Sequence, residues 1–249
     1  MYKSLIAVVL AAGRGRRLNA KKINKSLYTL AGKPMIGYTV DLLKKVDFKN
    51  IVFVVGYAKK SVINYLGHGY IFAEQKKRLG TAHAVKVALA KIPKNIKTIL
   101  VINADDSAFY PKRVIKGLIN SHLDKKADLS FLTVDMKNPN IARVIRDKNN
   151  KVLGIIEQQN LKQSQKKIKE INCGCYCFSI SFLKRYLSKV KKNNVSNEYY
   201  ITELIEIGAR NNCRLNAYKM NKEDYFCGVN TKSQLIEADL KMKNKLKSI

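Results

Sequence analysis

Between Ser4 and Ser121 the chain alternates short apolar runs with stretches of helical periodicity. No other feature restricts the fold as much. A strand covered on both faces reads as a continuous apolar run, whereas a helix shows a period near 3.6 residues. The strand runs are Ser4–Leu10, Asn50–Val55 and Thr98–Asn103. Helical patterns open at Pro34 and then cover Lys59–Leu66, Thr81–Ala90 and Lys112–Ser121. This order predicts an α/β protein with a Rossmann-like, mainly parallel sheet sandwiched by helices and joined by right-handed crossovers.

From Ala127 the pattern changes. Ala127–Val134, Ala142–Arg146, Lys151–Glu157 and Gly174–Ser179 read as strands, and the short loops between some of them predict a smaller antiparallel portion, so that the sheet is mixed. Ser181–Val190 and Tyr200–Asn211 read as helices, Arg214–Lys219 as a strand and Lys232–Leu246 as a closing amphipathic helix. With no Pro/Ser-rich linker and no internal repeat, residues 1–249 are expected to form one domain of two lobes.

The chain carries 48 Lys and Arg against 18 Asp and Glu, a formal charge of +30. The basic residues are spread along it and Lys far outnumbers Arg. Neither an aromatic–glycine RNA-binding motif nor zinc-finger spacing is present, so no specific nucleic-acid partner is expected. A positive field would still draw in polyanionic substrates. Leu5–Ala12 is too short for a signal peptide or a membrane span, so no membrane partner is expected and the compartment is read as the cytosol. The five cysteines include the run Cys173-Gly174-Cys175-Tyr176-Cys177. A strand places those three on one face, where they read as small buried hydrophobes and not as a zinc site.

The first strand opens directly into Leu10-Ala11-Ala12-Gly13-Arg14-Gly15-Arg16-Arg17-Leu18, with Lys25 following. Glycine lets backbone approach a phosphate, successive N–H groups form an anion nest, and arginine adds bidentate donors. The Lys-Ser/Thr ending of a P-loop is absent, and Leu18 stands where the dinucleotide motif has its last glycine.

The segment resembles L-A-A-G-x-G-[TS]-R-[ML] of the sugar-nucleotidyltransferase family, in particular the pyrophosphorylase domain of bacterial N-acetylglucosamine-1-phosphate uridyltransferases. Further blocks follow in family order. Gln75–Ala84 resembles Q-x-x-Q-L-G-T-[AG]-H-A, and Asn103-Ala104-Asp105 stands for Y-G-D. Glu170–Tyr176 resembles E-I-N-T-G-I-Y, Asn197–Glu203 resembles G-E-Y-Y-I-T-D, and Gly228-Val229-Asn230 matches G-V-N. The chain departs from the pattern at Arg16 (Thr or Ser), Asn24 (Pro), Arg78 (Gln) and Ala142 (often Gly), and by one extra residue between Leu18 and Lys25.

The resemblance implies that a nucleoside triphosphate, UTP first, reacts with a sugar 1-phosphate to give a nucleotide sugar and pyrophosphate, with Mg²⁺ as cofactor. N-acetylglucosamine 1-phosphate is the leading sugar. It divides the chain into a nucleotide-binding half over about 1–125, a sugar-binding half over 126–230 and the closing helix over 231–249. Arg17 and Lys25 become the catalytic cations. Leu10, Ala11, Ala12, Gly13, Gly15, Gln75, Gly80, Thr81, Asn103 and Asp105 line the nucleotide site, where the Gln75 amide can pair with a pyrimidine through one donor and one acceptor. Ala142, Glu157, Asn172, Tyr200 and Thr202 line the sugar site. Asp105 and Asn230 hold the metal, as hard oxygen donors can. Asp106 is either an outer-sphere group or a turn former, and His83 reads as a cap or packing histidine. Two other readings stand beside this one. The first is a uridylyl- or thymidylyltransferase for another hexose 1-phosphate, such as glucose. The second is a non-catalytic nucleotide-sugar-binding regulatory protein, supported by Arg16 and Asn24.

Overall fold

The computed structural model describes residues 4–18, 22–137, 141–222 and 228–247, without the Arg16 side chain. Its strands are β1 (Leu5–Ala11), β2 (Thr29–Leu30), β3 (Lys33–Pro34), β4 (Ile51–Val55), β5 (Ile71–Glu74), β6 (Thr98–Asn103), β7 (Leu129–Asp135), β8 (Arg143–Arg146), β9 (Val152–Ile156), β10 (Glu170–Ser179) and β11 (Leu215–Lys219). Its helices are α1 (Met35–Lys45), α2 (Lys59–Leu66), α3 (Thr81–Leu89), α4 (Lys112–Asp124), α5 (Ile180–Tyr186), α6 (Glu203–Arg210) and α7 (Lys232–Lys247). Among the described residues no helix is long and apolar enough to cross a membrane.

Nine strands form one sheet in the order β11-β7-β10-β6-β1-β4-β5, with β8 paired to β10 and β9 to β8. β1 lies between β6 and β4 and runs parallel to both. β10 is antiparallel to β6 and to β7, while β11 is parallel to β7. The expected mainly parallel, mixed sheet is thus present. The chain leaves β1 toward β4 and β5, then returns to place β6 on the other flank. That reversal opens a crevice beyond the carboxyl ends of β1 and β6, where open α/β sheets take their ligands.

Alternation along the strands divides the core between two faces. Leu5, Ala7, Val9 and Ala11 of β1 face α1, α2 and α4 through Ile36, Leu43, Val62, Ile115 and Leu118. Ile6 and Val8 face α3, α5 and α6 through Val85, Ala88, Phe182, Leu183, Leu204 and Ile205. Cys173, Cys175 and Cys177 are all buried in the first of these clusters. Burial pushes the Cys175 and Cys177 thiols up, so they remain protonated hydrophobes. No cluster of three or more His, Cys, Asp or Glu suited to a metal occurs among the described residues. Cys227 lies outside them. A third, smaller cluster joins Leu18, Leu30, Met35 and Phe109 to Val229, and to Ala238 and Met242 of α7.

Several boundaries differ from the sequence-based expectation. Ile71–Glu74 forms an edge strand that had no expected counterpart; only Ala73 in it is fully buried. β10 begins at Glu170 instead of Gly174 and crosses an irregularity between Asn172 and Tyr176 that breaks the apolar run. Ser181–Val190 divides into α5 and a 3₁₀ turn at Leu187–Lys189. β8 starts after Ala142. α6 starts at Glu203 instead of Tyr200, because the preceding backbone is tied elsewhere: Tyr199 N–H donates to Leu79 O (2.8 Å) and Ile201 N–H to Thr81 Oγ1 (2.9 Å).

Candidate active site

Two adjoining cavities open at the crevice. The larger, of about 540 Å³, is lined by Leu10, Ala11, Ala12, Gly13, Gly15, Arg17, Lys25, Gln75, Gly80, Thr81, Asn103 and Asp105 among others. The smaller, of about 220 Å³, is lined by Ala142, Glu157, Asn172, Tyr200 and Thr202 among others. Thr81, Asn103, Asp106 and Asn230 line both. Every residue that the resemblance assigned to the catalytic, nucleotide, sugar or metal site therefore lines one of the two adjoining cavities.

The glycine-containing loop leaves β1 at Ala11. Gly15 has φ +65°, and a Cβ there would lie 2.8 Å from Lys25 Cβ, so the turn and the approach of Lys25 both require glycine. Asn24 is 1% exposed and secures the loop from beneath. Its Nδ2 donates to Ala11 O (2.9 Å), Tyr57 O (2.9 Å) and, at a longer reach, Gly13 O (3.3 Å). Its Oδ1 accepts from Ser26 N–H (3.0 Å) and Ser26 Oγ (2.8 Å), capping the 3₁₀ turn Lys25–Leu27. Position 24, read as a departure from proline, is thus a buried junction. The sequence signal was the Asn-Lys-Ser order, a side-chain cap pattern. Arg14 lies over the Tyr57 ring at 5.4 Å, and Arg78 lies over the same ring at 6.0 Å.

Lys25 is the centre of the charged site. Its Nζ forms an ion pair with Asp105 Oδ2 and donates to Asn230 Oδ1 (3.1 Å). Arg17 Nη2 donates to the same Asn230 oxygen (3.2 Å). Residues 213 positions apart in sequence thus meet on one atom. Asn230 is placed by α7, since Gln234 Oε1 accepts from its N–H (2.8 Å), and by Val229 packed in the third core cluster. Asp106 stands beside Asp105 and accepts from Asn103 Nδ2 (2.8 Å). Burial, then the Asp105 carboxylate, push Asp106 up to about 6 against the opposing pull of Lys25, Asn103 and Arg17. It is part of the site's charge balance and not only a turn former.

The far wall is built from β9, β10 and the approach to α6. Thr202 Oγ1 donates to Glu157 Oε1 (3.1 Å), and burial holds the Glu157 carboxyl above its ordinary range. Asn172 Nδ2 donates to the Tyr176 hydroxyl (2.6 Å). Ala82 N–H donates to Tyr199 O (2.9 Å), which docks the Tyr200–Thr202 segment on the start of α3 and couples the two cavities.

Gln75 is 4% exposed. Its Nε2 bonds Gly80 O (3.0 Å) and His83 Nδ1 (2.9 Å). The expected pairing of this amide with a base through both a donor and an acceptor therefore needs correction, because both amide protons are already engaged. His83, read as a cap or packing residue, is a hydrogen-bond partner of the site. Its place as the histidine of the Gln75–Ala84 block was the sequence signal that could have tied it to Gln75. Gly80, at φ +98°, has no room for a Cβ against the Tyr199 backbone.

The profile of the MobA-like NTP transferase domain matches residues 7–168, more than half of the chain. Among curated relatives, the Bifunctional protein GlmU of Bacillus cereus is 35% identical over 241 residues, covering 96% of this chain and 52% of the relative. The protein of the same name from Caldicellulosiruptor saccharolyticus is 37% identical over 249 residues, covering 98% and 53%. The chain spans about half the length of these curated relatives. A solved UDP-glucose pyrophosphorylase complexed with UDP-glucose superposes with a TM-score of 0.79 at 20% identity, covering 96% of this chain and 98% of that one. A candidate glucose-1-phosphate thymidylyltransferase from Bacillus anthracis, in complex with sucrose, gives 0.78 at 22%, covering 96% of each. At that identity the structures speak for a shared fold, while the profile match speaks for descent, and the chain belongs to the family of MobA-like NTP transferase domains.

Proposed function

We propose that this protein transfers a nucleotidyl group from UTP to N-acetylglucosamine 1-phosphate, forming UDP-N-acetylglucosamine and pyrophosphate with Mg²⁺ as cofactor. The observation that carries the reading is the convergence of Arg17, Lys25, Asp105 and Asn230 where the two cavities meet. The triphosphate takes the larger cavity and the sugar the smaller. The sugar-phosphate oxygen attacks the α-phosphorus. The new P–O bond forms as the α–β P–O bond breaks, and its electron pair leaves with pyrophosphate. Both reactants are already anionic, so the residues must neutralise charge and align the line of attack more than move protons. Arg17 stabilises the leaving pyrophosphate, and Lys25 holds the α-phosphate. Glu157, Thr202 and Asn172 bind sugar hydroxyls and the N-acetyl group.

Asp105 and Asn230 are the residues that would hold Mg²⁺. Their fit to a cation rests on Asp105 Oδ2 and Asn230 Oδ1 both turning to one positive atom, Lys25 Nζ. Two hard oxygens that already share one cationic partner suit a divalent ion that keeps part of its water shell. When bound, that ion supplies Lewis-acid stabilisation of phosphate charge. With Asp105 engaged by the ion, Lys25 would be free to turn from the carboxylate to the phosphates. A cytoplasmic setting goes with this reading.

The experiment is a pyrophosphate-release assay across four nucleoside triphosphates, with dTTP added, and several sugar 1-phosphates including glucose 1-phosphate. UTP with N-acetylglucosamine 1-phosphate is expected to give the highest kcat/KM. Release with no pair would return the chain to a binding or regulatory role.

A further inference from the structure

The Gln75 amide has only one end left for a ligand. Gly80 O can only accept, so it fixes which end of the amide is nitrogen, independently of the ambiguity between amide N and O. The second Nε2 proton goes to His83 Nδ1 at 2.9 Å. Oε1 has no partner among the described residues, yet it is not a sealed orphan, since Gln75 lines the larger cavity. The side chain therefore presents two acceptor lone pairs and no donor to whatever enters.

We infer that His83 is a positioning residue that locks the Gln75 amide with its oxygen toward the base, so that the site selects a pyrimidine carrying a proton on N3. This rests on the proposal above that Gln75 faces the nucleobase. Uracil and thymine carry that proton and can donate it to Oε1. Cytosine presents a bare N3 there, and two acceptors face each other with no proton between them. An unpaired acceptor in a buried position is costly, so the lock rejects cytosine as well as favouring uracil. The lock requires a neutral imidazole with its proton on Nε2. Burial, then the nearby Lys86, lower the His83 pKa and favour that form. Without His83 only the Gly80 bond opposes the rotation that would offer Nε2 to cytosine, so that rotation costs one hydrogen bond instead of two.

The test is the ratio of kcat/KM for UTP over CTP in the wild type, His83→Leu and His83→Asn, with the KM for the sugar 1-phosphate measured in each. Asn places Oδ1 near the position of Nδ1 and restores an acceptor. The wild type is expected to favour UTP. His83→Leu should cut the ratio by roughly fivefold to tenfold, the effect of about one hydrogen bond. His83→Asn should recover most of it, and the sugar-phosphate KM should stay within about twofold throughout. An unchanged ratio in a folded His83→Leu protein overturns the inference, as does equal loss in both variants or a wild-type preference for CTP. Absence of transfer with every nucleotide in the wild type would instead overturn the proposed function. His83→Leu that fails to fold leaves His83→Gln, which cannot reach back to the Nδ1 position, as the loss variant.

Discussion

Asn24 uses both ends of its amide inside the fold, with Nδ2 on Ala11 O and Tyr57 O and Oδ1 on Ser26. Asn24→Asp keeps the shape but aims a carboxylate at carbonyl oxygens. It should cost about 1–3 kcal/mol in urea unfolding, the range for unsatisfied buried groups. It should also raise the KM for the triphosphate more than it lowers kcat. A cost below about 0.5 kcal/mol, the level of an ordinary surface change, would show that the loop is held by other contacts. Lys25 permits a second test. In Lys25→Met, Asp105 lies beside Asp106 without its cation. The variant should melt lower than the wild type without Mg²⁺ and gain more from added Mg²⁺, since a ligand that binds only the folded state raises its stability. Equal Mg²⁺ shifts in both proteins would separate Lys25 from the metal position. At this scale the sequence was informative where a side chain belongs to a contiguous motif: Arg17, Gly15 and Gln75 were placed by neighbours. It read His83 as a cap or packing histidine and Asn24 as a mere departure from proline, because the bonds to Gln75 and to Ala11 and Tyr57 that define them form only in the fold.

At the scale of elements, α4 and β7 are joined by His122 Nδ1 and Ser130 Oγ at 2.9 Å. Burial pushes His122 down to about 4, against the opposing effect of Asp128, from an ordinary value of 6.5. The unfolded chain therefore binds the extra proton first. Stability from this group is complete above pH 6.5 and falls as pH drops toward 4, by up to about 1.4 kcal/mol per pH unit. Between pH 7 and 5 the wild type should lose about 2 kcal/mol more unfolding free energy than His122→Asn. Parallel losses would mean that the ring is solvated in the fold. Elsewhere α7 holds Met242 and Ala238 against Leu18 and Val229 by apolar packing. The helices and strands most legible in the sequence, such as α2, α3 and β6, have clear helical periodicity or, as in Ile99–Ile102 of β6, an unbroken apolar centre. β5 and the start of α6 were missed because their state is set by long-range pairing. β5 borrows its ladder from β4, and the segment before α6 gives its N–H groups to Leu79 and Thr81.

For the whole molecule, the formal charge is +30, and the substrates proposed for it are polyanions. Long-range attraction of that kind is screened within about 10 Å at 0.1 M salt. The kcat/KM for the triphosphate should therefore fall severalfold between about 50 and 300 mM salt, with kcat little changed. A flat profile would show that the surface charge has no part in capture. The fold class was legible because alternating runs define layers, and the two-walled site was legible because its motifs sit at strand ends. The meeting of Arg17 with Asn230 was not, since it depends on α7, whose Gln234 holds Asn230 and whose Ala238 and Met242 pack with Leu18 and Val229. The most direct test of the account is pyrophosphate release from UTP and N-acetylglucosamine 1-phosphate by the wild type and Asp105→Ala, with Mg²⁺ and with a chelator. Turnover in the wild type only with Mg²⁺, falling by at least about a thousandfold in a folded Asp105→Ala protein, is the predicted result. Near-normal turnover in that variant, or in chelator, would contradict it.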